Sequence, residues 1–365
     1  MNILYFSALE GGKYTGPINS VPKRIIGQKK YDNVFWVNLT DIENGELFDN
    51  NFYHYIPPKK FDFIKLPQPF NKPDLIIFEE FFKLEFLLVA QKARKNKIPY
   101  IIVPRCQMTE NYLKNKYLKK VLASKLLFNH FAENALAVQF LTEQEKRDSK
   151  SYYLGKSFIA PNGISLRDES ANMMEETITG AFIGRYSIWQ KGLDLLFSAI
   201  EKDKTLLKDK GIVFNLYGPN DRTGSAEAVK KIIDKKDLND LVHVNGPIFD
   251  DGKREVLLNS SFFVHTSRFE GMPMAVLEAL SYGVPCLVTQ GSNVREEVQK
   301  YNAGWGADNT VESIMQALEE LCKSIDTLKE KGCNAKNLAK NYSWDSISIM
   351  CHSVYSNLII DKGNG

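Results

Sequence analysis

The chain has 365 residues, of which 44% are hydrophobic and 25% are charged, and its formal net charge at pH 7 is +3. This length is enough for two domains with separate cores, and the composition is that of a soluble globular protein, which excludes long-range disorder. The five cysteines are scattered and the five histidines form no helical ligand pair, so the sequence favours reduced cytoplasmic thiols over a disulfide framework or a metal site.

Short apolar runs alternate with amphipathic stretches along the whole chain. Strands are predicted at residues 2–7, 34–38, 75–79, 100–104, 135–141 and 157–160, and in a second series at 178–183, 213–217, 241–245, 262–266 and 285–288. Helices are predicted among them at residues 83–96, 112–135, 193–201, 226–235 and 311–323. This alternation predicts an α/β protein whose parallel sheets are covered by helices on both faces.

A polar stretch that contains turn residues, 161–176, separates the two strand–helix series. The sequence therefore predicts two doubly wound, Rossmann-like domains at residues 1–165 and 166–343, which face one another across a ligand-binding cleft. Apolar residues at helical spacing predict a last helix within 344–365 that packs back on the first domain.

Positive charge is concentrated in the first domain, where residues 91–130 contain ten Lys or Arg residues and one acidic residue. Five lysines alternate there with apolar residues, and these are Lys114, Lys116, Lys119, Lys120 and Lys125. A helix with this cationic face favours an anionic membrane surface. A solvated helix and a nucleic-acid patch are the alternatives, although no nucleic-acid recognition motif accompanies the segment.

The N-terminal segment is a predicted strand and lacks the basic region and cleavage site of a signal peptide. No run of 18 or more apolar residues is free of Gly and Pro breaks, so no membrane-spanning helix is expected. The expected location is the cytoplasm, or the inner face of the plasma membrane as a peripheral protein.

The segment from Glu270 to Glu278 carries two carboxylates around the predicted start of a helix. Pro273 is tolerated at the start of a helix, and the Gly283 and Pro285 that follow end it. Free backbone N–H groups at such a start favour an anion, for which Arg185 and Lys191 would supply cations. These residue types predict a site for a sugar attached to a diphosphate.

The motifs around this segment occur in a fixed order along nearly the whole chain. They are Gly11-Gly12, residues 98–105, Pro161-Asn-Gly-Ile164, Phe182-Ile-Gly-Arg185, Lys191-Gly192, Leu216-Tyr-Gly218, Val244-Asn-Gly246, His265-Thr-Ser267 and the Glu-x7-Glu element. This series resembles the retaining GT-B glycosyltransferases of family 4, the glycosyl transferases group 1, of the kind that acts in surface-polysaccharide biosynthesis.

The resemblance implies a role for each matching residue on the donor side. Arg185 and Lys191 would hold the donor diphosphate, and Glu270 would bind sugar hydroxyls near the anomeric centre. Glu278 would bind the ribose. Further donor contacts would come from the glycine loop, the strand ends and the start of the helix, at Gly11, Gly12, Gly16, Gly218, Pro247, Ile248, Gly271, Met272 and Met274.

On the acceptor side, the resemblance implicates Glu79, Arg105 and Asn162. The chain departs from the family pattern at Cys106, where many relatives have glycine. His265, at the end of a predicted strand, is expected to be a packed residue and not a catalyst.

The resemblance implies transfer of a hexose-type sugar from a nucleoside-diphosphate sugar to a saccharide acceptor, which is expected to be lipid-linked. No cofactor and no metal are expected, because the chain has no Asp-x-Asp motif and its cations would stabilise the diphosphate. The alternatives are a sugar-nucleotide 2-epimerase and a non-catalytic partner subunit with the same fold. No nucleic-acid partner is expected.

Overall fold

The computed structural model describes residues 1–9, 16–40, 53–114, 127–172, 177–219 and 224–363. These residues divide into two compact units. The first unit contains residues 1–163 and 344–365, and the second unit contains residues 164–343.

The first unit is built on a sheet of seven parallel strands. The strands are β1 (Asn2–Ser7), β2 (Asn33–Asn38), β3 (Tyr53–Tyr55), β4 (Leu75–Glu79), β5 (Tyr100–Val103), β6 (Ala137–Phe140) and β7 (Ser157–Ile159). Their order in the sheet is β3-β2-β1-β4-β5-β6-β7. Because the chain reverses its direction of winding between β1 and β4, the carboxyl ends of these two strands flank a crevice of the kind in which ligands bind.

Helices of the first unit follow most of these strands. They are α1 (Gly16–Gln28), α2 (Leu84–Lys95), α3 (Glu110–Lys114), α4 (Asn129–Glu133) and α5 (Glu143–Asp148). Aromatic side chains fill much of the core beneath them. The Phe78 ring centroid lies 5.6 Å from that of Phe6, 5.5 Å from that of Tyr100 and 5.1 Å from that of Phe131.

The second unit has a sheet of six parallel strands. The strands are β8 (Ile178–Ile183), β9 (Ile212–Tyr217), β10 (Val242–Asn245), β11 (Phe262–His265), β12 (Cys286–Thr289) and β13 (Gly304–Ala307). Their order is β10-β9-β8-β11-β12-β13, which is the doubly wound order of a dinucleotide-binding domain. The winding reverses between β8 and β11, and their carboxyl ends flank the corresponding crevice.

The helices of the second unit are α6 (Leu193–Lys202), α7 (Lys204–Asp209), α8 (Ser225–Lys235), α9 (Asp250–Leu258), α10 (Met274–Ser281), α11 (Arg295–Lys300), α12 (Val311–Lys323) and α13 (Leu328–Lys340). Buried residues of α6 and α12 pack with the β8 and β9 side chains in one apolar cluster. The second unit therefore has its own core.

The last helix, α14 (Trp344–Gly363), returns to the first unit and packs against α1. Arg24 Nη2 donates a hydrogen bond to Sγ of buried Cys351 at 3.7 Å, and His352 Nδ1 lies 3.0 Å from the Asp32 carboxylate. These contacts agree with a final helix on the first domain, as its apolar spacing predicts.

The structure corrects several expected elements. Strands β3 and β13 were not predicted, because β3 has three residues and β13 contains Gly304 and Gly306, which have low strand propensity. The expected helix 112–135 appears at its ends as α3 and α4, and α4 ends at Glu133. Its middle lies outside the described residues, as do Lys116, Lys119, Lys120, Lys125 and the side chain of Lys114. No helix in the described ranges is long and apolar enough to cross a membrane.

Candidate functional site

The candidate donor residues of the second unit lie at the carboxyl ends of neighbouring strands. Arg185 and Lys191 follow β8, and Glu270 follows β11, which pairs with β8. Parallel strands bring their carboxyl ends to one edge of a sheet. Lys191 and Glu270, which are 79 positions apart in the sequence, therefore meet at the point where the winding reverses.

Lys191 and Glu270 form an ion pair at this edge, with side chains that are 12% and 15% exposed. Ser267 Oγ donates a hydrogen bond to Glu270 Oε1 at 2.9 Å and lies 3.0 Å from His265 Nε2. Because Ser267 gives its hydrogen to Glu270, it accepts the Nε2 hydrogen of a neutral His265. Glu270 is thus held by a cation on one side and by a Ser–His pair on the other.

This array keeps Glu270 ionised and His265 neutral. Burial favours the neutral form of Glu270, but the charge of Lys191, together with His265 Nε2 at 3.5 Å, outweighs it and lowers the pKa of the carboxyl group. Burial lowers the pKa of His265, and the charge of Lys191 adds to this effect. In the described part of the chain, buried His265 Nδ1 has no hydrogen-bond partner, which fits an unprotonated nitrogen.

The loop that carries Lys191 is held by close backbone packing. Gly192 has a φ of 61°, and a Cβ at this position would lie 2.0 Å from the Thr266 carbonyl oxygen. Thr266 Oγ1 donates to the carbonyl oxygens of Lys191, at 3.0 Å, and Gly192, at 3.2 Å. Only glycine fits this approach, so the Lys191-Gly192 pair fixes where the Lys191 side chain starts.

Two further groups hold the loop that carries Glu270. The Arg268 guanidinium makes two contacts of 2.7 Å to the Asp194 carboxylate and lies 5.5 Å from the centroid of the Trp189 ring. Asn293, at a φ of 62°, donates from Nδ2 to the carbonyl oxygens of Glu270 and Gly271. The Glu270 backbone is therefore fixed independently of its carboxylate.

Arg185 is exposed, and among the described residues its side chain has no hydrogen-bond or ion-pair partner. The next residue anchors its loop, because Tyr186 Oη lies 2.9 Å from the Leu216 carbonyl oxygen and 2.7 Å from that of Asn245. Buried Tyr186 thus joins the ends of β8, β9 and β10. Arg185 is an unpaired cation, in the described part of the chain, on a rigid base.

The other expected donor positions lie at the same edge of the second unit. Gly218 follows β9, and a Cβ there would lie 2.2 Å from the Gly184 carbonyl oxygen. Pro247 is exposed and Ile248 is half-buried in the segment between β10 and α9.

The start of α10 lies next to Glu270. Helix α10 begins at Met274 after Pro273, with Met272 buried and Gly271 half-buried ahead of it. Glu278 lies inside α10 and forms an ion pair with Lys253 of α9. Gly11 and Gly12 are outside the described residues, and Gly16 begins α1.

The expected acceptor-side residues come together in the first unit. Arg105 donates to Glu79 Oε2 from Nε at 3.0 Å and from Nη2 at 2.7 Å, and its Nη1 reaches Ser20 Oγ at 3.0 Å and Asn162 Oδ1 at 3.4 Å. Fully buried Glu79 also lies 3.6 Å from Arg24 Nε. One carboxylate therefore faces two arginines, which leaves this cluster with excess positive charge.

Several of these contacts were not predicted. His265 is packed between rings as expected, but it also belongs to the Glu270 array together with Ser267. Ser20 and Arg24 are four residues apart on α1, a spacing that places both on one helix face. Asn293 lies 23 residues from Glu270 and shows no local sign of its role.

In the described ranges, no group of three or more His, Cys, Asp or Glu side chains could hold a metal ion. All five cysteines are described and carry thiols.

Comparison with known proteins gives both sequence and structural likenesses. Residues 167–338 match the family described as glycosyl transferases group 1. The chain is similar to one subunit of the phosphatidylinositol N-acetylglucosaminyltransferase of Homo sapiens, with 24% identity over 210 residues, which are 56% of this chain and 41% of that protein. The matched part thus spans less than half the length of this relative.

Several solved structures cover almost all of the chain. Sucrose-phosphate synthase from Thermosynechococcus elongatus has a TM-score of 0.69 at 14% identity and covers 99% of this chain and 100% of its own. HepE of Anabaena, in complex with UDP and glucose, has a TM-score of 0.74 at 13% identity, with coverage of 98% and 100%. At these identities the likenesses establish the fold alone.

Proposed function

We propose that this chain, which has the GT-B fold and whose residues 167–338 match the glycosyl transferases group 1, moves a hexose-type sugar from a nucleoside-diphosphate sugar to a hydroxyl group. The transfer retains the configuration of the anomeric carbon. The observation that carries the proposal is the Lys191–Glu270 pair at the point where the winding of the second sheet reverses, with the exposed Arg185 on the same segment after β8 as Lys191.

The donor diphosphate binds Arg185 and Lys191. Negative charge grows on the diphosphate as the glycosidic bond breaks, so fixed cations stabilise the transition state more than the ground state. Glu270 binds the donor sugar, because a carboxylate that stays ionised can accept hydrogen bonds from sugar hydroxyls. The acceptor hydroxyl gives its proton to an oxygen of the leaving diphosphate on the same face of the sugar.

The rest of the donor binds along the same edge of the second unit. The backbone of Gly271, Met272 and Met274 contacts the sugar and the phosphates at the start of α10, where N–H groups favour an anion. Glu278, which forms an ion pair with Lys253, binds the ribose hydroxyls. Gly218, Pro247 and Ile248 lie near the base.

We propose UDP as the first nucleotide to test, because a structural neighbour is described with UDP and glucose. The reaction needs no metal or other cofactor, because Arg185 and Lys191 supply the positive charge that a divalent ion gives in other glycosyltransferases.

The acceptor is a lipid-linked saccharide in cell-surface polysaccharide assembly, and it contacts the first unit at Arg105, which Glu79 and Asn162 hold in place. The excess positive charge of this cluster suits an acceptor that carries an anionic group. The name of the human relative, which contains phosphatidylinositol, supports a lipid as part of the acceptor. The protein acts at the inner face of the plasma membrane, to which Lys114, Lys116, Lys119, Lys120 and Lys125 attach it.

The experiment is a thermal-shift panel of nucleoside diphosphates and their sugars, followed by hydrolysis of the stabilising sugar nucleotide in EDTA. We expect one nucleotide class to stabilise the protein and turnover to survive EDTA. Arg185→Ala should lower turnover about 10²- to 10³-fold, the usual cost of removing one charge-stabilising donor. Lys236→Ala, which removes a half-buried cation paired with Glu201, is the control and should leave turnover unchanged. Equal turnover in Arg185→Ala would remove Arg185 from the site.

A further inference from the structure

The turn after β5 holds two residues in the left-handed backbone conformation, which is unfavourable for residues other than glycine. Arg105 has a φ of 50° and Cys106 a φ of 67°, and neither is glycine. This conformation is unfavourable for both residues, so the surrounding structure must hold this pair in place. The direction in which the Arg105 side chain leaves the backbone depends on this turn.

One buried carboxylate holds the turn from a distance of 39 residues in the sequence. Glu145 is fully buried on α5, and its Oε1 accepts the Cys106 N–H at 2.5 Å. Its Oε2 accepts the Leu141 N–H at 2.7 Å. Glu145 therefore ties the loop after β5 to the loop after β6 through two charge-assisted hydrogen bonds.

This turn also aims the Arg105 guanidinium. From this backbone position Arg105 reaches Glu79, Ser20 and Asn162, which come from β4, α1 and the loop after β7. A shift of the turn would break all of these contacts together, because they converge on one planar group.

We propose that Glu145 is a positioning residue for Arg105: its carboxylate holds the left-handed Arg105–Cys106 turn and so fixes the guanidinium that contacts the acceptor. The contact with the acceptor rests on the proposed function, whereas the hold on the turn does not. A rival role for Glu145 is to stabilise the start of α5 only. Thr142 separates the two roles, because its Oγ1 accepts the Glu145 N–H at 3.0 Å and caps α5 without touching Cys106.

The reactivity of the Cys106 thiol reports on the turn without any substrate. The protein is treated with iodoacetamide, and each cysteine is followed by mass spectrometry. Cys106 is half-buried and Cys333 is exposed, so Cys333 is an internal reference for reagent and pH. The buried thiols Cys286, Cys322 and Cys351 report on global unfolding.

We expect Glu145→Gln to accelerate labelling of Cys106 relative to Cys333 about ten-fold or more, the scale of one lost charge-assisted hydrogen bond. Thr142→Ala should change this ratio less than about two-fold, because the cap bond does not reach the turn. Equal ratios in wild type and Glu145→Gln, or an equal rise in Thr142→Ala, would overturn the proposal. If the buried thiols also become labelled in Glu145→Gln, that variant is unfolded and Glu145→Asp replaces it. Aspartate keeps the charge but is too short to make both hydrogen bonds, so the same changes in the labelling ratio are expected and the same results would overturn the proposal.

A pH series adds a readout that a purely structural residue would not move. Burial raises the pKa of Glu145 to about 7, against the two backbone N–H bonds and the charge of Arg105, while Asp148 adds to the rise. The two N–H bonds favour the ionised carboxylate, so protonation of the still-buried carboxyl group weakens them. The wild-type ratio of Cys106 to Cys333 labelling should then increase as pH falls through 7, and the ratio in Glu145→Gln should not. A pH-independent wild-type ratio would contradict the proposal. If the turn responds as expected but no sugar is transferred, the proposed function fails and the positioning role stands.

Discussion

Replacing Lys191 by methionine tests how the proposed donor site holds Glu270. Methionine keeps much of the length of lysine and removes its charge. In the wild type the two side chains form an ion pair and are 12% and 15% exposed. In Lys191→Met the Glu270 carboxylate keeps Ser267 but loses the charge that holds its pKa down. The variant therefore leaves an anion largely out of water without a cation.

The size of the effect follows from this exposure. Exposed ion pairs contribute at most about 1 kcal/mol, and removal of one partner of a fully buried pair costs about 3–5 kcal/mol. A pair that is mostly but not fully buried lies between these limits, so we expect Lys191→Met to lower the free energy of unfolding of the second unit by about 2–3 kcal/mol. Loss of a charged donor to the diphosphate should also weaken nucleotide binding about 10- to 100-fold.

The assay is a double-mutant cycle with Lys191→Met, Glu270→Gln and the double variant, measured by urea unfolding and by titration with UDP. We expect a coupling free energy of about 2 kcal/mol at pH 7. Because the pKa of Glu270 is lower in the folded protein than its ordinary value of 4.5, the contribution of the pair is complete above about pH 4.5 and decreases as pH falls below it. A coupling below about 0.5 kcal/mol, or one that does not change in acid, would refute the reasoning.

Three further outcomes follow from the same contacts. Gly192→Ala should lower the free energy of unfolding by about 2 kcal/mol or more and weaken nucleotide binding. Gly246→Ala is the control, because no atom lies within 4 Å of the added Cβ, and it should change the free energy of unfolding by less than about 1 kcal/mol. Equal urea midpoints for the two variants would contradict this prediction. Glu79→Gln should destabilise the first unit by about 3–5 kcal/mol, because it leaves Arg24 and Arg105 buried without a counter-charge, and an unchanged melting temperature would be inconsistent with it. Charge reversal of Lys114, Lys116, Lys119 and Lys120 to Glu should abolish salt-sensitive binding to anionic vesicles in flotation assays; if the wild type does not bind such vesicles at low salt, the membrane attachment fails.

Local patterns predict much of this fold. Apolar runs between amphipathic stretches indicate the strands of both sheets, because a parallel strand buried on two faces must be apolar. The same patterns miss β13, whose two glycines have low strand propensity, although β13 completes the edge of the second sheet. A glycine at Gly304 is needed there, because a Cβ would lie 2.0 Å from the Cys286 carbonyl oxygen.

The positions of the proposed donor residues can be expected from the sequence, because each belongs to a short motif at the end of a strand. Their surroundings cannot, because these depend on contacts between distant segments. Asn293, in a left-handed conformation, donates a hydrogen bond to the Glu270 carbonyl oxygen from 23 positions further along the chain. Glu145 of α5 accepts a hydrogen bond from Cys106, which follows β5. Thr142-x-x-Glu145 reads locally as a helix cap, and only the fold reveals the second bond that its carboxylate makes.

The most direct measurement is a crystal structure of the protein with the stabilising nucleoside diphosphate bound. We expect the diphosphate oxygens to lie within hydrogen-bond distance of the Arg185 and Lys191 side chains, with the start of α10 and Glu270 next to them. A diphosphate bound elsewhere on the second unit, or no bound nucleotide at saturating concentration, would contradict the account.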